Sequence, residues 1–239
     1  MQEKKNPFYT LFFFKFHMNN LSPKRVIKFL IFIIIGLSIT SLIGQIFEYF
    51  TQPSHQKIID KINVDGEYTI PSLFSSFSLL SCSIILGWIS RKKWQNQDKY
   101  TGKWIGLSVI FFYLALDETI SLHEQLIHPL RKLLNATGIF YYTWVIPGLM
   151  LVTVVVLIYW KFVQELPPKI KHLFFLSAIF YVGGAIGMEM INGYYSYLYD
   201  SEMFVYEILV TIEEFFEMLG VAVFIYGLLC YLKLDLIDN

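Results

Sequence analysis

The sequence predicts an all-α integral membrane protein, a polytopic bundle of about six transmembrane helices with both termini in the cytoplasm. Hydrophobic residues make up 55% of the 239 positions and charged residues only 16%, whereas a soluble domain of this size carries a more charged surface. Apolar runs long enough to cross a bilayer recur along the chain. Lys and Arg are concentrated on alternate connections between these runs, as in multi-pass membrane proteins.

Six apolar stretches are each long enough to cross a bilayer core of about 30 Å as a helix that rises about 1.5 Å per residue. Their short connections favour antiparallel packing within one domain, residues 25–232. Residues 1–24 are expected to form a cytoplasmic or interfacial segment, with either Met1 or Met18 as the true start, and residues 233–239 a short cytoplasmic tail. The predicted spans are residues 25–50, 70–90, 104–127, 141–162, 173–198 and 204–232.

The distribution of basic residues predicts the orientation. With a cytoplasmic N-terminus, fifteen of the 19 Lys and Arg residues fall on the inner side, and only Lys57, Lys61, Arg131 and Lys132 fall on the outer side. This bias follows the positive-inside rule, so we expect a multi-pass protein of the inner or plasma membrane. The basic loops are interpreted as orientation signals and not as a nucleic-acid surface. Membrane lipid is the expected partner, and the oligomeric state is left open.

Acidic residues lie on the opposite side of the predicted bundle. Nine of the 19 Asp and Glu residues fall within or at the end of a span, all in its outer half, and no base lies deep in a span to pair with them. Each charge near the bilayer centre costs about 2.5–3.5 kcal/mol on insertion scales. Protons, metal ions or a water-filled cavity must therefore accompany these carboxylates. The nine residues are Glu48, Asp117, Glu118, Glu124, Glu189, Glu207, Glu213, Glu214 and Glu217.

Helical periodicity groups the acids of the third span. If this span is a continuous helix, Asp117, Glu124 and His128 share one face, with Glu118 at its edge, whereas His123 points about 120° away. The two histidines are five residues apart, one more than in the HExxH motif of zinc peptidases, which places both imidazoles on one face. The sequence therefore excludes a zinc peptidase and favours an acidic face that includes His128.

The fifth and sixth spans add acids at a similar predicted depth. Gly183 and Gly187 form a small-xxx-small step, which is expected to permit close helix contact near these acids. Three helices would then present carboxylates in layers toward one another, as in carboxylate-bridged metal bundles. The four acids of these two spans are Glu189, Glu213, Glu214 and Glu217.

We interpret the combined pattern as a divalent metal site, possible metals being Fe, Mn, Zn and Ca because oxygen ligands with an occasional imidazole suit them. A metal with an open coordination position could activate water or oxygen, with a lipid or quinone as the substrate. No catalytic residue is assigned. Two alternatives use the same groups: a path or gate for protons or cations, and a structural scaffold. The predicted ligands are Asp117, Glu118, Glu124, His128, Glu189, Glu213, Glu214 and Glu217.

A resemblance accompanies these motifs. The pairs Asp117-Glu118 and His123-Glu124, together with Glu213-Glu214, Glu217 and Gly220, resemble the pattern of a group of uncharacterised bacterial multi-span membrane proteins. The likeness covers the third, fifth and sixth spans. It implies a multi-pass membrane fold, and it implies no particular substrate, cofactor or residue role.

Overall fold

The computed structural model describes residues 22–51, 61–64, 66, 68–199 and 204–237. All regular elements in this part of the chain are helical, which confirms the predicted fold class. Short 3₁₀ turns at Glu124–Leu126 and Gly138–Phe140 and a π-helical segment at Gly183–Met188 connect some of them. The α-helices are α1 Pro23–Thr51, α2 Ile70–Gln95, α3 Thr101–Ile120, α4 Ile127–Leu134, α5 Val145–Glu165, α6 Pro168–Val182, α7 Glu189–Leu198 and α8 Phe204–Ile237.

Five units of the described chain are long and apolar enough to cross a membrane: α1, α2, α5, the continuous run from α6 through α7, and α8. The helices α3 and α4 provide a sixth if they count as one span, with a bend of 71° between them. By length and composition the chain is therefore a membrane protein with five or six spans, in agreement with the predicted bundle. The last span is longer than expected, because α8 continues into the predicted tail as far as Ile237.

Helix α8 is the central helix of the bundle. It contacts α1, α2, α6 and the π segment. In its most apolar 18-residue stretch 67% of the residues are buried, compared with 17% in the corresponding stretches of α1 and α5. Its second half packs into a continuous apolar core with residues of α2, α3, α5 and α6, including Leu86, Trp104 and Phe162. This core fills the end of the bundle where α8 terminates.

Ion pairs close that end of the bundle. Lys92 and Lys93, in the last turn of α2, contact the carboxylate of Asp235 near the end of α8 at 2.6 and 3.1 Å. The opposite end of α2 begins with a capping box, in which Thr69 and Ser72 satisfy each other's backbone N–H groups. Lys92 and Lys93 therefore lie at the end of the bundle where α8 terminates, and Thr69 lies at the opposite end of α2.

Serine side chains join α2 to α3. The Ser76 hydroxyl donates to the Ala115 carbonyl at 3.0 Å, and Ser83 and Ser108 each donate to the other's carbonyl oxygen at 2.8 Å. Small hydroxyl residues permit close approach of helices and satisfy their own polar groups across the contact. These bonds hold α3 against α2 up to the turn that precedes the acidic residues.

The close glycine contact differs from the expected one. Nothing lies within 4 Å of the position that a Cβ would occupy at Gly183 or Gly187. A Cβ at Gly184 would instead lie 2.9 Å from the Glu213 carbonyl oxygen, and one at Gly220 would lie 2.6 Å from the Tyr181 amide nitrogen. The π turn changes which glycines face α8, since it inserts an extra residue into the helical repeat. The expectation for Gly183 and Gly187 was therefore wrong.

The third span is broken, whereas the sequence predicted one helix over residues 104–127. Helix α3 ends at Ile120, and Ser121 adopts a left-handed conformation with φ 45° and ψ 49°. The backbone N–H of His123 then donates to Oδ1 of Asp117 at 3.0 Å. A side chain thus replaces a helical carbonyl as the acceptor, which is a common way for a helix to end. Helix α4 leaves the break in a new direction.

Substitution of alanine for Gly184 or Gly220 is expected to destabilise the bundle, because the added methyl group overlaps backbone atoms of the facing helix. Overpacking of this kind costs about 1–3 kcal/mol. The measurement is the midpoint of thermal unfolding in detergent micelles. Gly187→Ala is the matched control: it lies in the same segment, meets no atom, and should leave the midpoint unchanged or higher. Equal midpoints for all three variants would contradict the close contact.

Candidate functional site: an acidic cavity

A cavity of about 380 Å³ lies at the end of the bundle opposite the ion pairs of Asp235. Residues from α3, the break that follows it, α5, α6, the π segment, α7 and α8 line it, together with Val64, Gly66, Ser72 and Ile127. We call it the acidic cavity, because seven carboxyl side chains line it. They are Asp117, Glu118, Glu124, Glu189, Glu213, Glu214 and Glu217.

Most of the remaining lining is apolar or aromatic, and Ser72, Ser121 and His123 add polar groups. Among the described lining residues none is Lys or Arg. The one arginine of this region, Arg131 in α4, points elsewhere: its guanidinium donates to the Tyr141 carbonyl at 2.7 Å and stacks 3.5 Å from the centre of the Tyr141 ring. Among the described residues of its wall, the acidic cavity therefore collects seven carboxyl groups with one imidazole, that of His123, and without Lys or Arg.

The break in the third span brings His123 to Asp117. The ring nitrogen Nδ1 of His123 lies 2.8 Å from Oδ2 of Asp117, while the backbone N–H of His123 lies 3.0 Å from Oδ1. Both carboxylate oxygens of Asp117 therefore accept hydrogen bonds from one residue. With Nδ1–H as the donor, the neutral imidazole carries its lone pair on Nε2.

Trp144 connects this pair to the fifth span. Its ring centroid lies 4.5 Å from that of His123, and its indole N–H donates to Oε1 of Glu189 at 2.8 Å. Indole is a donor only, so this bond suits a carboxylate acceptor. Trp144 lies at the start of α5 and Glu189 at the start of α7, and the bond ties these two helices together at the cavity wall.

A second polar pair lies between α7 and α8. The side-chain amide of Asn192 donates to Oε2 of Glu213 in a short hydrogen bond, and the two residues are 1% and 7% exposed. Within the described part of the chain, Oδ1 of Asn192 has no hydrogen-bond donor. Buried polar atoms are nearly always satisfied. This acceptor lies beside the Glu213 carboxyl group, and Asn192 is not among the described residues that line the acidic cavity.

Seven of the eight residues predicted as ligands line the acidic cavity, and His128 does not. His128 is exposed in the first turn of α4, because the break turns it away from the face that a continuous helix would give it. His123, which a continuous helix directs away from the acids, lines the cavity instead. In the sequence, Pro129 is the feature that indicates that His123 and not His128 faces the acids, because proline favours a helix start close to its own position. The side chain of Glu48 lies outside the described residues.

The acidic side chains are not arranged as a ready coordination sphere. No group of three or more His, Cys, Asp or Glu residues in the described ranges has the geometry to hold a metal ion. Several of these groups are instead engaged in the hydrogen bonds given above, to Trp144, Asn192 and the backbone of His123. Any cation that enters must compete with these bonds.

Replacement of Trp144 by phenylalanine is expected to destabilise the protein, because it leaves Oε1 of Glu189 without its donor. Loss of one partner from a buried hydrogen bond costs about 1–3 kcal/mol. The thermal midpoint in detergent measures the effect. Trp94→Phe, the same exchange at a residue that is 69% exposed, is the control and should leave the midpoint within error. An equal effect of both exchanges would show that the bond contributes nothing.

Comparison with known proteins gives the family. A family model described as a domain of unknown function, DUF8692, matches residues 11–232. No curated protein and no solved structure matches the chain. The matched range contains every residue that lines the acidic cavity. The chain therefore belongs to the DUF8692 family.

Proposed function

We propose that this membrane protein binds a divalent metal ion in the acidic cavity. The observation that carries the proposal is the convergence of seven carboxyl side chains on one cavity whose described wall contains no Lys or Arg. Charge near the bilayer centre is costly, so intramembrane acids are usually functional and paired. No Lys or Arg of the described wall can act as the partner, and a bound cation would supply positive charge beside these groups.

The carboxyl groups are close enough to act together. Electrostatic interactions link Glu213 to Glu189 and Glu217, and they link Glu217 to Asp117 and Glu118. These five residues come from α3, α7 and α8. A single cation between the three helices would therefore interact with several carboxylates at once, and each interaction is strengthened by the low dielectric constant of the surroundings.

The ligand chemistry supports a hard or borderline divalent ion. Carboxylate oxygens with one imidazole suit Mn, Fe, Zn or Ca. Because the side chains are not in coordination geometry as they stand, binding would exchange their present hydrogen bonds for metal–oxygen bonds.

Proton or cation translocation is less well supported than binding. On α3 the acidic cavity ends near Leu114 and on α8 near Glu217, and the apolar core lies beside these residues, beginning with Ala115 and Val221. From there to the basic end the core contains buried aromatic and aliphatic residues such as Phe224 and Leu228. A second cavity, at the basic end, shares no lining residue with the acidic one. This arrangement favours a closed-ended binding site.

Orientation and partners are part of the proposal. The bias of Lys and Arg toward the opposite end predicts that the acidic cavity opens toward the outer side of the inner or plasma membrane. Apolar side chains of α3, α5 and α8, including Leu114, Leu151 and Val210, also line the cavity. A mixed wall of this kind suits a lipid or quinone that meets the bound metal from the bilayer.

Neutral replacement of the cavity acids tests the proposal. We expect Mn²⁺ to bind the purified, tag-free protein, and Glu189→Gln and Glu217→Gln to weaken that binding by about tenfold or more, which corresponds to about 1.4 kcal/mol. Each amide removes one negative charge and one strong oxygen ligand. Isothermal titration calorimetry in detergent measures the affinity, with Fe²⁺, Zn²⁺ and Ca²⁺ as the alternative ions.

His128→Gln is the matched control, since His128 lies outside the cavity lining, and it should bind Mn²⁺ like the wild type. If none of the four ions binds the wild type, the metal proposal is wrong. A purely structural network predicts that result together with higher thermal midpoints for the two Gln variants. Ion flux into proteoliposomes that Glu189→Gln abolishes would favour translocation instead.

A further inference from the structure

We infer that His123 supplies a nitrogen ligand to the bound cation through Nε2, and that Asp117 is a positioning residue that orients this imidazole. The inference deepens the proposed function and rests on it. It also assigns the two residues differently from the sequence prediction, which made Asp117 a direct ligand and placed His128, not His123, in the site. Four observations on the described residues carry it.

The first observation is the hydrogen bonding of Asp117. Its Oδ1 accepts from the backbone N–H of His123 at 3.0 Å, and its Oδ2 faces Nδ1 of the same residue at 2.8 Å. Both oxygens are therefore committed to His123. An ionised carboxylate can only accept, so it holds a proton of the imidazole on Nδ1, and in the neutral ring that a metal binds the lone pair is then on Nε2. This is the tautomer that a metal-binding histidine needs, and a carboxylate is a common partner for its other nitrogen.

The second observation is where the imidazole lies. His123 lines the acidic cavity together with Glu118, Glu189 and Glu217, and its side chain is 29% exposed. Within the described residues no hydrogen bond engages Nε2. Nε2 therefore belongs to a ring in the cavity wall and has no hydrogen-bond partner among the described residues, whereas Nδ1 is held by Asp117.

The third observation is the packing of the ring. Trp144 lies over His123 at a centroid distance of 4.5 Å with an angle of 52° between the planes. Trp144 is itself fixed by its bond to Glu189 at 2.8 Å. Two neighbours thus restrain the imidazole, one through its edge and one through its face. A ligand that is restrained before binding loses less conformational entropy when the cation arrives.

The fourth observation is the backbone that makes the pair possible. Residues six apart in a continuous helix lie about 120° apart on its surface, so Asp117 could not reach both groups of His123. Ser121 adopts φ 45°, the left-handed conformation with which many helices end. The two hydrogen bonds between Asp117 and His123 stabilise this break.

Pulsed EPR with Mn²⁺ as the probe tests the assignment. Protein labelled with [¹⁵N]histidine and freed of any affinity tag should show a hyperfine coupling from a directly bound imidazole nitrogen, and unlabelled protein should show the ¹⁴N coupling. His123→Gln should lose the coupling, and His128→Gln should retain it. Asp117→Asn should retain a nitrogen coupling but bind Mn²⁺ about 10–100-fold more weakly, as expected when the partner of a ligating histidine is changed.

The outcomes separate this inference from the proposed function. Mn²⁺ that binds in the cavity without a histidine nitrogen coupling would overturn the role of His123 and leave metal binding intact. A coupling that survives in His123→Gln would overturn it as well. Failure of Mn²⁺ to bind the wild type at all would contradict the proposed function itself. If the His123 variant does not fold, a labelled wild type without the coupling still overturns the inference, and a coupling that persists when each of the other four histidines is replaced by Gln assigns it to His123.

Discussion

Carboxyl groups removed from water need protons, cations or water beside them, and this electrostatic requirement governs the acidic end of the bundle. In the described structure the wall around seven of these groups contains no Lys or Arg. The hydrogen-bond donors given above are the indole of Trp144, the amide of Asn192, and the backbone and ring of His123. Indole, amide and backbone N–H groups satisfy hydrogen bonds but carry no positive charge, and the cavity leaves room for a cation that does.

The helices divide the bundle into two parts with different tasks. Around the second half of α8 an apolar core and the ion pairs of Asp235 provide stability. Around its first half, close backbone contact at Gly184 brings the π segment against Glu213 and Glu217. A glycine there lets two helices approach until their acidic side chains share one space. The same contact that packs the helices therefore assembles the acidic cavity.

Periodicity and charge were sufficient to predict the helical membrane fold, the approximate number of spans and the helices that contribute acids. Glu189, Glu213 and Glu217 line one cavity, a placement that depends mainly on helical phase and depth. Helical phase could not predict the change of direction at Ser121, because no glycine or proline stands there and the break depends on bonds from Asp117 to His123. For the same reason helical phase alone placed His128, and not His123, on the acidic face, and only Pro129 indicated a helix start near these residues.

The π turn is the second feature that simple periodicity misses. A helical repeat of about 3.6 residues places Gly183 and Gly187 on one face, but the inserted residue rotates Gly184 toward α8. Such insertions have no reliable sequence signature and are commonly found near functional sites. Local sequence thus determined which helices form, whereas contacts across the bundle determined which side chains meet.

Anomalous diffraction from crystals of the protein grown with Mn²⁺ tests the central claim most directly. The account predicts a manganese peak inside the acidic cavity, within coordination distance of carboxylate oxygens from at least two of α3, α7 and α8. A cavity that holds only water, with each acid still bonded to its neutral donor and no manganese peak at saturating metal concentration, would contradict the claim that a cation balances these carboxylates.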